Sequence, residues 1–367
     1  MELNKKIHAK VKHNGYITFD DYMDMCLYYD DLGYYNNKNI SLNPKNSDFI
    51  TGPEISPIYT DSIINFYNNC KKNKEIDYVL EFGAGSGELA YNFLKNVTSN
   101  NMPKKYFILE KSKYLKRQQK DKINNLPKEI SKKVEWINDI SNIKNVFLIA
   151  NEVLDAIPAK RFIKKKNKFY EKIIKSKDGK LYFSKRKCKP LLEEKIKNIE
   201  NRINFNFTNN YCFEINFLYE EFFSNIFKNV ENFIFILIDY GYGEKEFYHP
   251  DRSTGTIQYY KNNKKILDNL NNQGTFDISV SVDFSYIHRI INFHNLQLLS
   301  YTTQEQFLLE TNILENSSKL SDNFERSNVL KSLLFPSDMG ENFKIMILCD
   351  HMEKSFKMNF KDYRHRL

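Results

Sequence analysis

The apolar positions of this chain fall into short runs separated by amphipathic segments. Seven runs predict strands: "YVLEF" (78–82), "KYFILE" (105–110), "KVEWI" (133–137), "NVFLIAN" (145–151), "FIFILID" (233–239), "LQLLSYT" (296–302) and "FKIMILC" (343–349). Each is short, continuous and apolar, as a strand buried in a sheet must be. Helical spacing separates most of them, as parallel crossovers require. The fold class predicted is α/β, a Rossmann-like sheet with helices between its strands.

Two regions break the rhythm. Residues 1–75 read as mostly helical, with Thr18 as N-cap of "TFDDYMDMCLYYD". The loop "NPKNSDFITGPEISPIY" then leads to a helix near 57–70. Between the fourth and fifth runs lie about eighty residues, far more than one crossover needs. There, "KRFIKKKNKFYEKIIKSKDGKLYFSKRK" alternates like a hairpin with Asp178-Gly179 at its turn. A charged helix (190–200) and an aromatic-rich segment reaching Phe227 follow. The expected division is an N-terminal helical cap (1–75), a cofactor-binding core (76–158 and 230–350) and an α+β insertion (159–229) that joins the cap over the ligand edge of the sheet.

Composition narrows the class. Hydrophobic residues at 41% and aromatics at 15% fit a folded chain and exclude a disordered one. Five scattered cysteines form no CxxC pair and seven histidines form no HxxxH cluster, so no metal is expected. No apolar run reaches the roughly 20 residues of a membrane span. The N-terminus lacks a signal peptide's apolar stretch and enters patterned sequence at once, leaving little room for a transit peptide. A cytoplasmic location is expected, or the mitochondrial matrix in a eukaryote. Much of the net charge of +9 comes from residues 159–189. That stretch is read as a solvated face, with an acidic partner or nucleic acid as the alternative; nucleic acid is not the expected partner.

The candidate chemistry starts at glycine. The chain has 12 glycines in 367 residues, yet three fall at Gly83, Gly85 and Gly87 in "YVLEFGAGSGELA". Strand, glycine-rich turn and helix make the nucleotide-binding corner of an open α/β sheet. A dinucleotide fingerprint would need a glycine where Glu88 stands, and Glu81 ends the strand just before the turn. S-adenosylmethionine has no pyrophosphate but carries an ammonium and a sulfonium, which carboxylates suit. Glu110 ends the next strand, where it can accept both ribose hydroxyls. Asp139, with Ile140 beside it in "EWINDI", is placed to receive an adenine amino group. Three strand-end acids in register with the glycine turn point to S-adenosylmethionine as cofactor.

A second constellation is "NVFLIANEVLDAIPAKRF". A buried strand delivers Asn151, Glu152 and Asp155 to its C-terminal end, where open α/β sheets bind ligands, and Pro158 stops a helix from continuing. Methyl transfer from a sulfonium is a displacement, so the protein must orient the nucleophile and manage charge. A carboxylate pair would anchor a cationic acceptor such as a guanidinium and take its proton; a capped strand end with solvated acids is the plainer alternative.

The chain resembles the MidA-like S-adenosylmethionine-dependent methyltransferases, which include the mitochondrial complex I assembly-factor methyltransferase. The matching segments include "GYITFDDYMDMCLYYDDLGYY" (15–35), "DFITGPEISPIY" (48–59), "LEFGAGSGELA" (80–90), "ANEVLDAIPAKRF" (150–162), "IDYGYGEKEFYHPDRSTGTIQYY" (238–260), "DISVSVDFSYI" (277–287) and "MGENFKIMIL" (339–348). It departs from the family at Gly52, where Ala or Ser is frequent, and at Ser279–Ser281. The resemblance implies a seven-stranded class I methyltransferase core, S-adenosylmethionine as cofactor and, for mitochondrial members, a protein arginine on a complex I core subunit. It also favours a loop around Glu54 that closes over the cofactor, although Glu54 equally suits a helix cap. After the fifth strand, Tyr240, His249, Asp251 and Arg252 are expected to bind substrate; Pro250 leaves a plain turn open at His249. Two rival functions remain: methylation of RNA or a small molecule, and a cofactor-binding assembly chaperone with little turnover.

Overall fold

The structure is a computed structural model and describes residues 2–38, 50–267, 270–351 and 361–367. Residues 43–49 of the expected loop lie outside the described residues. The seven predicted strands are present: β1 (Tyr78–Phe82), β2 (Lys105–Leu109), β3 (Val134–Ile137), β4 (Ile143–Asn151), β5 (Val230–Tyr242), β6 (Gln297–Thr303) and β7 (Phe343–Cys349). They form one sheet in the order β6-β7-β5-β4-β1-β2-β3. Strand β7 runs antiparallel to both neighbours, and the other pairings are parallel. This is the Rossmann-like class I methyltransferase sheet.

Continuous apolar runs arise because both faces are covered. In β4, Phe147 and Ile149 enter one core cluster while Val146, Leu148 and Ala150 enter the other. Strand β5 divides likewise, Ile234, Ile236 and Ile238 against Phe233, Phe235 and Leu237. Helices Pro57–Asn73 and Glu88–Asn96 supply Phe66, Tyr67 and Phe93 to the first cluster. Helices Leu218–Asn229 and Phe284–Phe293 supply Phe223 and Ile287 to the second. The aromatic-rich segment thus ends in a helix that covers the core sheet.

The alternating insertion holds three strands, Lys160–Lys165, Lys168–Lys177 and Lys180–Lys187, where the pattern predicted a single hairpin. The extra turn falls at Lys166-Asn167, with Lys166 in the left-handed region (φ 52°). Asn167 is the only turn-favouring residue there, a weaker signal than the Asp178-Gly179 pair further on. Cys212–Ile215 and the N-terminal Ile17–Thr18 complete this sheet. Within it Arg161 Nε lies 3.4 Å from Glu214, and the other oxygen of Glu214 ties the sheet to the loop after β5 by accepting the Thr256 N–H at 2.7 Å. A third sheet, Ile257–Lys261, Lys264–Lys265 and Asp277–Val280, was not foreseen. Among the described residues no helix is long and apolar enough to cross a membrane.

Candidate active site

The C-terminal ends of β1, β2, β4 and β5 open into one cavity of about 530 Å³. Its lining holds eight carboxyl groups, from Glu54, Glu81, Glu88, Glu110, Glu152, Asp155, Asp277 and Asp338, and no Lys, Arg or His among the described residues. In a chain of net charge +9 this is an acid-lined enclosure, and the ligand it suits is cationic.

The glycine turn forms its floor. Gly83, Gly85 and Gly87 all take positive φ (56°, 53° and 77°), a conformation glycine adopts without steric cost. A Cβ on Gly85 would meet no protein atom within 4 Å, so the backbone there borders open space. Glu81 is buried beneath, accepting the Tyr106 hydroxyl at 2.8 Å, and burial pushes its carboxyl up to about 8. Glu110 accepts the Ser112 N–H at 2.8 Å and Gln119 Nε2 at 3.0 Å; burial raises it too. Gln119 also donates to the Gly85 carbonyl at 3.0 Å and accepts from Trp136 Nε1 at 2.9 Å. One glutamine therefore joins the turn to Glu110.

The opposite wall is the turn after β4. Asp239, at the end of β5, accepts the N–H groups of Leu154 (2.9 Å), Asp155 (3.2 Å) and Tyr240 (2.9 Å). Glu152 sits in the left-handed region (φ 54°), accepting the Asn151 amide at 3.2 Å and the Gly52 N–H at 3.4 Å. Asn151 is held in turn by the Tyr59 hydroxyl at 2.8 Å. The Tyr59 ring comes so near Gly52 that a Cβ there would lie 2.6 Å from it, which accounts for glycine at this position. Burial and then the Asp155 charge push Glu152 well up; burial and then the Asp239 charge do the same to Asp155. Asp155 Oδ1 is buried without a hydrogen-bond partner. The Tyr240 hydroxyl is near enough to ease its charge but makes no full hydrogen bond to it.

The cavity thus brings together Glu54, Glu81, Gly83, Gly85, Glu110, Asn151, Glu152, Asp155 and Tyr240. Glu54 also caps its own short helix, accepting the Thr51 N–H at 3.1 Å. Gly87 lies behind the turn, where a Cβ would press on Gln119. Asp139 is exposed beyond the end of β3, and Ile140 turns inward into the core; neither lines the cavity. His249 and Asp251 are exposed, with His249 Nδ1 accepting the Asp251 N–H at 3.3 Å in the turn that Pro250 suggested. Arg252 does not line the cavity either but stacks 3.9 Å over the ring of Tyr242, which does. Sequence reasoning gave no role to Tyr28, Tyr35, Tyr260, Asp239, Asp277 or Gln119. The available signal was the matched segments that contain all but Gln119; that residue had none.

Residues 60–302 match the family described as "Putative S-adenosyl-L-methionine-dependent methyltransferase". The chain belongs to this family. It is therefore an S-adenosylmethionine-dependent methyltransferase, and the acidic cavity beside the glycine turn fits that cationic cofactor. Among similar proteins are the mitochondrial protein arginine methyltransferase NDUFAF7 of Homo sapiens, 26% identical over 379 residues (93% of this chain, 82% of that one), and its Caenorhabditis elegans homolog, 25% identical over 381 residues (94% and 86%). A Burkholderia thailandensis protein crystallised with S-adenosyl-homocysteine shares the fold, with TM-score 0.92 at 24% identity over 100% of this chain and 96% of its own.

Glu110→Ala is expected to weaken S-adenosylmethionine binding by about 1.5–3 kcal/mol, the range for hydrogen bonds to a charged acceptor. Calorimetry checks this, and a loss under about threefold (roughly 0.7 kcal/mol) would assign the contact elsewhere. The folded methyltransferase keeps a proton on Glu81 up to about 8, whereas an ordinary glutamate loses it near 4.5. The native state then binds more protons, so stability of the ligand-free protein falls as pH rises across that window. Thermal denaturation in a pH series is expected to record this fall, to which the raised carboxyls of Glu152, Asp155 and Asp239 also contribute, and Glu81→Gln to make it shallower; a fall as steep in Glu81→Gln as in the wild type contradicts the assignment.

Proposed function

We propose that this methyltransferase methylates an arginine nitrogen on a partner protein. The observation that carries this reading is the buried Asp155 carboxyl in a cavity lined by acids and, among the described residues, no basic side chain. Two of its relatives bearing the name protein arginine methyltransferase support it. The family resemblance points to a respiratory complex I core subunit or its equivalent as acceptor, in the cytoplasm of a bacterium or the matrix of a mitochondrion.

The cofactor supplies a methyl group already activated on a sulfonium. The rest is orientation and charge. Gly83 and Gly85 would give the cofactor a close backbone, Glu81 and Glu54 would face its cationic groups, and Glu110 would hold its ribose. Glu152 and Asp155 hold the guanidinium. As the ω-nitrogen forms its bond to the methyl carbon, the carbon–sulfur pair leaves with sulfur and the nitrogen's proton passes to Asp155. A carboxyl whose proton affinity is raised by burial and by Asp239 is a better acceptor for that proton than an exposed one.

Asp155→Asn keeps the shape of the side chain and deletes its charge. It is expected to slow transfer of labelled methyl to protein by on the order of a hundredfold while S-adenosylmethionine binds as before. An unchanged transfer rate would refute the carboxylate mechanism.

A further inference from the structure

The acceptor side of the cavity contains a further carboxylate that the reaction scheme above does not use. Asp277 opens the strand Asp277–Val280 and stands directly opposite Tyr260 in the ladder. Three residues on, the Val280 N–H donates to the Asp155 carbonyl at 2.9 Å, which ties the two aspartates' backbones together. The Tyr35 hydroxyl donates to Asp277 Oδ1 at 3.0 Å. Tyr35 in turn stacks on Tyr28, with centroids 5.6 Å apart at 27°, and the Tyr28 hydroxyl donates to the Ala156 carbonyl at 3.0 Å. Tyr28, Tyr35, Tyr240 and Tyr260 all line the same cavity as Asp155 and Asp277. Burial first, then the charges of these two aspartates among others, push the phenol of each of the four upward.

We propose that Asp155 and Asp277, set within Tyr28, Tyr35, Tyr240 and Tyr260, form a clamp that selects a guanidinium over an ammonium. The proposal rests on the arginine reading above and adds the residues that make the choice. A guanidinium is a flat cation with five N–H donors spread over its edges, and it stacks on aromatic faces. Two carboxylates carried by different elements can accept from two of its edges while the tyrosine rings flank its plane. Asp155 Oδ1 has an acceptor position open for it. Tyr35 fixes the orientation of Asp277 in advance, so little side-chain freedom is lost on binding. A lysine ammonium is compact and strongly hydrated. It would reach one carboxylate and gain less from the flat walls, across which a planar guanidinium also stacks. Asp277 is thus a specificity residue, and Tyr35 a positioning residue acting through it.

The test uses the full-length protein saturated with S-adenosyl-homocysteine. The probes are N-acetyl-arginine methylamide and N-acetyl-lysine methylamide, titrated by NMR or calorimetry. The arginine probe is expected to bind at least about tenfold more tightly than the lysine probe, and Asp277→Asn to erase about tenfold of that affinity, the scale of one charge-assisted hydrogen bond. Tyr35→Phe keeps the ring and removes the hydroxyl, so it is expected to weaken the arginine probe by a smaller factor. Unchanged S-adenosyl-homocysteine binding is the folding control, and if Asp277→Asn fails it, Tyr35→Phe decides. A wild-type protein that prefers arginine while both variants bind it normally overturns the clamp and leaves the arginine reading standing. A wild-type protein that binds the two probes equally, or binds neither, overturns the arginine reading and the clamp with it.

Discussion

The site depends on what Asp239 does with its carboxylate. The turn after β4 must leave the sheet sharply enough to aim Glu152 and Asp155 into the cavity, and a sharp buried turn strands backbone N–H groups. Asp239 receives two of them, from Leu154 and Asp155, and a third N–H from Tyr240 on its own strand. An unsatisfied buried donor costs about 1–3 kcal/mol, so this single side chain secures both the turn and the start of the following loop. The parallel pairing of β4 with β5 places it there: Ile238 lies opposite Asn151, and its carbonyl accepts the Glu152 N–H at 2.8 Å. A left-handed backbone at Glu152 becomes tolerable because both flanks are fixed.

That arrangement has an electrostatic consequence. Burial, followed by the charge of Glu152, raises Asp239 itself, and the same crowding raises Glu152 and Asp155. Without a cation the cavity holds protons that an open surface would release. A cationic cofactor relieves the repulsion, as would the cationic acceptor proposed for it, so binding of the cofactor is coupled to the ionisation of these acids. The basic insertion lies outside this enclosure: its lysines form pairs and ring contacts of their own, as Lys160 does with Asp20 and Glu171 and Lys172 does over Phe183. The charge that dominates the composition and the charge that lines the cavity have opposite signs.

The core was legible because burial on two faces writes an unbroken apolar run, and all seven such runs became neighbouring strands. The glycine turn was legible for a similar reason, since scarce glycine concentrates where the backbone needs positive φ. Glu152 and Asp155 were visible as acids at a strand end. Tyr28, Tyr35 and Asp277 were not, because they come from the N-terminal helices and a late strand and meet the site only through tertiary packing. Asp139 fits the pattern of strand-end acids, yet β3 stops at Ile137 and the chain bends so that Ile140 is buried and Asp139 faces solvent. His249 and Asp251 stand in a tight turn at Pro250 whose cap is His249 itself, outside the cavity lining. Spacing along the chain reveals what one element carries, and says little about which elements converge.

The central claim is that the acidic cavity delivers a methyl group to arginine. The direct measurement is the chemical fate of the label. The purified protein is incubated with methyl-labelled S-adenosylmethionine and a lysate from cells lacking it; labelled protein is then hydrolysed to amino acids and chromatographed. The account predicts label recovered as methylated arginine. Label in methylated lysine or another amino acid, or confined to RNA or small molecules, would contradict it.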